Sequence, residues 1–313
     1  MSDGTRAANS DKVWTTLITS LSYLPGLLTL HYSLIQKHKS KYPLIALYTD
    51  AFPSLGLDAL HARSIPTQHI KTILPASSKP YSQDPRFTDC WTKLVPFSLT
   101  QYARVVQLDS DMLVLQNMDE LFDLPLDPSS DRVFAAGHAC VCNPLGKPHY
   151  PPSWIPENCA FTAQALQDPD LAQKSGGDPR QLSPEPSYCN GGLQVVQPSL
   201  EHWSQILEYM NSHASELDFA DQSVLSKVFK GRWVAVPYVY NALKTLRWEG
   251  VHDTLWRDEE IKNLHFILTP KPWEEEESRD ADETHKWWKT VDRERKEWER
   301  QSLRISDGWC RDS

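Results

Sequence analysis

An apolar run that ends in two carboxylates constrains the fold of this chain more than any other feature. In Val105-Val106-Gln107-Leu108-Asp109-Ser110-Asp111 the first four residues read as a buried strand, and the acids fall where that strand gives out. A second apolar run, Met112-Leu113-Val114-Leu115, follows at once. Carboxylates so placed need hydrogen-bond donors, a cation or water. A hard divalent cation that keeps room for substrate phosphates suits them. A solvated, aspartate-rich turn is the reading that spacing alone leaves open beside it.

The surrounding pattern indicates the sheet that this strand joins. Residues 13–19 are β-rich, 24–39 carry helical periodicity, and 44–48 form a short apolar strand. A short helix is expected over 55–63, a strand over 68–74, and a helix over 91–102 before the strand that ends at Asp109. Repeating units of this length imply an α/β fold with a mostly parallel central sheet flanked by helices. Ligands of such sheets bind beyond the carboxyl ends of the strands, where Thr19, Asp109 and Asp111 fall. From 126 to 187 the composition shifts toward Pro, Ser, Asp and Asn, with Pro148, Pro151, Pro152 and Pro156 close together. That stretch reads as a loop-rich insertion, a candidate lid or wall. Order resumes with a strand over 191–196, helices over 200–213 and 219–229, and strands over 233–236 and 264–268. The expected division is a polar tail (1–12), one domain (13–273), and a charged tail bearing Trp287, Trp288, Trp298 and Trp309 (274–313). A docked amphipathic helix is favoured for that tail over partial disorder, because exposed tryptophans are costly.

Composition narrows the ligand. A net charge of −9 argues against a nucleic-acid partner, so a negatively charged ligand has to be met locally by a metal and a few cations. No dinucleotide fingerprint and no P-loop is present. Twelve tryptophans and eleven tyrosines supply flat faces that suit sugar rings as well as cores. The polar residues 1–12 lack an apolar signal core, and the longest greasy stretch, 24–35, is broken by Pro25, Gly26, His31 and Tyr32. No membrane partner is expected, and a cytoplasmic protein is the default. Of six cysteines only Cys140 and Cys142 lie close together, separated by one residue and without a second tight pair. Reduced, mostly buried thiols are therefore expected rather than a structural zinc.

Four further segments join the aspartate pair: Thr92-Lys93-Leu94, Tyr188-Cys189-Asn190-Gly191-Gly192-Leu193, Asp218-Phe219-Ala220-Asp221-Gln222, and His265-Phe266 leading to Lys271-Pro272-Trp273. In this order, across residues 16–273, the set resembles glycosyltransferase family 8, the retaining enzymes that include glycogenins and galactinol synthases. The resemblance implies a GT-A nucleotide-diphospho-sugar transferase fold and a UDP-sugar donor held through Mn²⁺ or Mg²⁺. It assigns Asp109, Asp111 and His265 to the metal, and a donor set of two carboxylates and one imidazole agrees with Mn²⁺. It gives Lys271 to the diphosphate, Leu17 and Thr19 to uracil and ribose, and Tyr23 to stacking on the base. Ser110 lies within the metal motif. Lys93, Asn190, Gly191, Asp218 and Asn241 are placed near the donor sugar, with Asp221, Lys93, Asn190 and Gln222 as the catalytic set.

Each of these has a bland counterpart. A lone His265 is more often a core histidine, Lys271 a loop cation, Tyr23 ordinary core, and Asp218 and Asp221 helix-capping acids. Retention of configuration leaves two routes: a covalent intermediate on Asp221, or acceptor attack on the face from which the diphosphate leaves. The second is favoured here, with Asp221 positioning the sugar and stabilising positive charge at its anomeric carbon. Two positions depart from glycogenins. Trp248 stands where their self-glucosylated tyrosine lies, and Leu268 stands where they carry glycine. The acceptor, a polyol, saccharide or protein, is left open by the resemblance. So are a homodimer and partner binding through the tryptophan-bearing tail. A non-catalytic sugar-nucleotide binder or scaffold of the same fold is the competing reading.

Overall fold

The computed structural model describes residues 5–76, 90–167, 188–276 and 282–305. Strand β1 (Lys12–Ile18) is buried on both faces, with Val13 and Trp14 sealed from solvent, as a central parallel strand requires. It pairs in parallel with β2 (Leu44–Tyr48) on one side and β4 (Arg104–Leu108) on the other, and β3 (Thr67–His69) lies parallel outside β2. Strand order therefore reverses between β1 and β4, and the carboxyl ends of these two strands flank the crevice where ligands of open α/β sheets bind.

Beyond β4 the sheet changes sense. β7 (Cys189–Val196) runs antiparallel to β4 and to β6 (Phe134–His138), while β8 (Trp233–Ala235) is parallel to β6. The order is β3-β2-β1-β4-β7-β6-β8. A second sheet of three short strands, β5 (Met112–Val114), β10 (Asn263–His265) and β9 (Ala242–Leu243), stands beside it. Helices α1 (Leu24–His31), α2 (Ser54–Ala62), α3 (Ala160–Gln167), α4 (Leu200–His213) and α5 (Ala220–Val228) complete the frame. Ser199 caps α4 by accepting from the His202 N–H. No helix of the described residues is long and apolar enough to cross a membrane.

Several elements differ from their expected form for identifiable reasons. The helix expected over 24–39 widens into a π-helical turn at Tyr32–Lys37, where Ser33 Oγ accepts from the Val114 N–H at 3.3 Å and ties α1 to β5. The helix expected over 91–102 is a 3-10 helix ending at Ser98, since Pro96 inside it removes a backbone donor. β3 is shorter than 68–74 because its five-residue partner β2 has already run out at Tyr48, opposite His69. β6 lies inside the stretch read as an insertion. All five of its residues are buried in the central sheet, so the loop-rich segment begins after His138. Residues 168–187 of that stretch lie outside the described residues, as do Trp309 and Cys310.

The charged C-terminal stretch is not a separate body. Helix α6 (Glu283–Ser302) buries Thr284, Trp288, Val291, Arg295 and Glu299, a stripe at three- and four-residue spacing. Trp288 meets Trp273 at 5.4 Å, and Trp298 meets Tyr32 at 5.8 Å. Under the helix Arg63 grips Glu299 through two nitrogens at 2.7 and 2.9 Å, and Arg295 bridges Glu299 and Asp292. Removing one member strands its partners in a dry setting. Arg295→Ala is accordingly expected to destabilise the chain by about 3–5 kcal/mol in denaturant titration. A change below 1 kcal/mol, the usual ceiling of an exposed pair, would mean that this network is wet.

Candidate active site

Backbone register assembles the site. β4 ends at Leu108 opposite Leu193, and the Asp109 N–H donates to Gly192 O at 2.8 Å, so Asn190 and Gly191 lie directly beyond β4. In the second sheet His265 pairs with Met112, and the Phe266 N–H donates to Asp111 O at 2.9 Å. The turn between β4 and β5 thus holds both aspartates, with one sheet at each of its ends. His265 Nε2 lies 3.4 Å from Asp111 Oδ1 and 3.6 Å from Asp109 Oδ2. One ligand atom from each of Asp109, Asp111 and His265 falls within 4.8 Å of the others.

Each carboxylate is fixed by a lysine. Lys93 Nζ donates to Asp109 Oδ2 at 2.7 Å; Lys271 Nζ donates to Asp111 Oδ2 and to Phe266 O, both at 2.6 Å. Burial opposes ionisation of Asp111, yet the Lys271 ammonium outweighs it and holds the carboxyl well below the usual range. Burial likewise works against the Lys93 ammonium, but Asp109, Cys90 and Asp221 keep its pKa well above the ordinary value. Asp109 Oδ1 is buried with no hydrogen-bond partner among the described residues. An orphaned carboxylate oxygen beside a second carboxylate and an imidazole fits a divalent cation of the Mn²⁺ or Mg²⁺ class.

The histidine is oriented from behind. Its Nδ1 meets Asn241 Oδ1 at 2.9 Å, and Asn241 Nδ2 donates to Asn190 Oδ1 at 2.9 Å. In this chain of bonds Nδ1 carries the proton, which leaves the Nε2 lone pair facing the aspartates. Gly192 makes room for the ring: a Cβ there would meet His265 Cε1 at 2.3 Å. Gly191 does the same for Asp221, since its Cβ would meet Asp221 Oδ2 at 2.0 Å. Asp221, in the first turn of α5, is buried, and its Oδ2 has no hydrogen-bond partner among the described residues. Burial, against the pull of Lys93 and with the push of Asp109, raises its pKa to about 7. Gln222 Oε1 accepts from the Gly191 N–H at 3.0 Å.

These groups open into one cleft of about 560 Å³, a size that suits a ligand of drug-like dimensions. Leu17, Thr19 and Tyr23 line it from the β1 side; Lys93, Asp109, Ser110 and Asp111 line the floor. Asn190, Gly191, Asp221, Gln222, His265 and Lys271 line the opposite side. Two expected residues stand elsewhere. Asp218 is exposed and off the cleft wall, because three residues along the α5 entry turn it outward while Asp221 turns in. Asn241 is buried behind His265 and positions the imidazole instead of lining the cleft. Leu268 takes φ +67°, the conformation that glycine favours, and lines the cleft. An outer wall was not foreseen residue by residue. Lys147, Tyr150 and Trp154 line it, with Trp154 stacked on Phe219 at 4.4 Å. Aromatics inside the proline-rich stretch were the available signal.

A switch-point cleft with paired acids and an imidazole, on a sheet of this order, is the frame of GT-A glycosyltransferases. Solved structures agree on the fold. The galactosyltransferase LgtC, in complex with donor and acceptor sugar analogues, superposes with a TM-score of 0.56 at 16% identity, over 90% of this chain and 96% of that one. The bifunctional glycosyltransferase WbbM gives 0.61 at 16% identity; 92% of this chain is covered, but it spans only 50% of the WbbM chain. The profile of glycosyl transferase family 8 matches residues 15–277, and the chain belongs to that family. Among curated relatives it is similar to galactinol synthase 1 of Solanum lycopersicum, 29% identical over 85% of this chain and 77% of that protein. Galactinol synthase 2 of Arabidopsis thaliana is 27% identical over 81% and 73%. The protein is a glycosyltransferase.

Proposed function

We propose that this enzyme moves a hexose from a UDP-sugar to a small hydroxylated acceptor, with retention of configuration and with a divalent cation held by Asp109, Asp111 and His265. The observation that carries the reading is the acid–imidazole cluster at the β1/β4 switch point, flanked by two lysines that donate to its carboxylates. When bound, Mn²⁺ or Mg²⁺ supplies positive charge to the leaving diphosphate. Lys271, buried in the cleft wall, adds a point charge for the same group. Leu17, Thr19 and Tyr23 receive the base and ribose at the end of β1. Tyr23 is braced edge-on against Trp273 at 5.8 Å.

At the sugar end Asn190 has its carbonyl engaged by Gly192 N–H and Asn241 Nδ2, so its NH₂ is what it offers a sugar hydroxyl. Asp221 faces the sugar with an oxygen that no described protein group occupies. Ionised, it stabilises positive charge at the anomeric carbon as the donor bond lengthens. The acceptor hydroxyl attacks on the face from which the diphosphate departs and passes its proton to the leaving phosphate oxygen. Tyr150 and Trp154 offer apolar faces for an acceptor ring. The likeness to galactinol synthases makes a galactose donor and an inositol acceptor the first pair to test.

A donor panel decides it. Each UDP-hexose is incubated with Mn²⁺ and with inositol, glucose, maltooligosaccharide or no acceptor, and released UDP is measured. The expected result is Mn²⁺-dependent release that rises with one polyol or sugar acceptor. Release from none of the donors, with the chain folded, would leave a non-catalytic binder as the better reading.

A further inference from the structure

Away from the donor cluster a second set of ligand-competent atoms converges. Cys140 and Cys142 follow β6, Cys159 immediately precedes α3, and His252 lies in a turn between β9 and β10. One atom from each falls within 4.8 Å of all the others. His252 Nε2 is 3.2 Å from Cys142 Sγ and 3.5 Å from Cys159 Sγ. The thiols are free of disulfides. Tetrahedral zinc with Zn–S near 2.3 Å and Zn–N near 2.0 Å has ligand–ligand edges of about 3.5–3.8 Å. The Cys159–His252 distance matches such an edge, the Cys142–His252 distance is slightly shorter, and the remaining pairs lie within 4.8 Å.

We propose that Cys140, Cys142, Cys159 and His252 form a structural Cys₃His zinc site. Four ligands and no open position is the pattern of a structural centre. Binding releases the thiol protons to water, leaving three thiolates and a neutral imidazole on Zn²⁺. The surroundings suit a closed centre. Cys159 and His252 are buried, Val141, Phe161, Leu255 and Trp256 pack around them, and Phe161 meets the His252 ring edge-on at 5.6 Å. The sequence pattern offered no such set because Cys159 and His252 lie outside any tight spacing with Cys140 and Cys142.

The location gives the site a purpose. Cys140 lines the substrate cleft, and residues 143–154, which build its outer wall, hang between Cys142 and Cys159. Zinc closes the 142–159 loop and fastens it to the 252 turn, beside the ring contacts that Tyr150 and Trp154 make with Phe219 and Tyr188. The assignment does not depend on the identity of the donor, because metal content is read without turnover.

The test is metal analysis of the full chain produced in zinc-supplemented medium and purified without chelator, with inductively coupled plasma mass spectrometry as the readout. One zinc per chain should survive dialysis against Mn²⁺ buffer and persist in an Asp109→Ala/Asp111→Ala variant. It should fall to a small fraction in Cys142→Ser and in Cys159→Ser. Because those variants can fail to fold, the wild-type chain is also reconstituted with Co²⁺, where thiolate-to-cobalt charge-transfer bands and intense tetrahedral d–d bands are expected. A wild-type chain without zinc, zinc that leaves with the aspartates, or a disulfide joining any two of the three cysteines would overturn the assignment.

Discussion

Asp111→Ala is expected to lower Mn²⁺-dependent donor turnover by about 10²–10³-fold, the scale seen when one preorganised charge partner of a reacting group is removed. Asp111 lies between His265 Nε2 and Lys271 Nζ, so the substitution takes away a ligand and also releases the lysine. Lys271 is buried, and its ammonium then keeps its bond to Phe266 O and the Tyr23 ring at 5.8 Å, with no carboxylate to balance it. Part of any loss therefore reflects a stranded charge. Asp111→Asn separates the two effects, since it keeps a hydrogen-bond acceptor near Lys271 while removing the negative charge. Both variants should retain near-ultraviolet circular dichroism, and both should lose turnover. Activity near wild type in either one would contradict the metal assignment.

Asp221→Asn should make the enzyme slower and the fold stronger. Burial raises the Asp221 pKa from the ordinary 3.8 to about 7. Between those values the folded chain holds a proton that the unfolded chain has released, so stability falls as pH rises through that window. At about 1.4 kcal/mol per pH unit, the ionised carboxylate costs the metal-free protein on the order of 4 kcal/mol by pH 8. Asparagine carries no such charge. The melting temperature of the variant should exceed that of wild type at pH 8, and the gap should close as pH falls toward 4. Turnover should drop by about 10²–10³, the range for loss of one electrostatic stabiliser. Unchanged stability at pH 8 would mean that Asp221 is better solvated than its burial implies. Unchanged turnover would remove it from the sugar site. A group that destabilises the fold and serves the reaction is a common compromise of active sites.

The half of the sheet built from β1, β2 and β4 was legible because long apolar runs end in polar turns. β5, β6 and β9 were not, for reasons of length and composition. β9 has two residues, β5 three, and β6 is largely Ala-Ala-Gly, whose small side chains carry little pattern. The cleft residues were readable where each stands at the end of a strand or the start of a helix, as Thr19, Asp109 and Asp221 do. Roles that depend on pairing across elements were not. Asn241 is one residue before β9, and only the folded contact of its Oδ1 with His265 Nδ1 reveals that it lies behind the imidazole and off the cleft lining. Asp218 and Asp221 share one motif, yet the turn into α5 sends one outward and one inward. Leu268, standing where glycogenins carry glycine, takes the left-handed backbone that glycine favours, which no side-chain pattern announces.

The most direct test of the account titrates Mn²⁺ into the zinc-loaded chain with and without UDP and follows free Mn²⁺ by electron paramagnetic resonance. Binding of one Mn²⁺ that tightens when UDP is present, and that is lost in His265→Ala, is the predicted result. Mn²⁺ affinity that ignores UDP, or that survives loss of His265 unchanged, would contradict it.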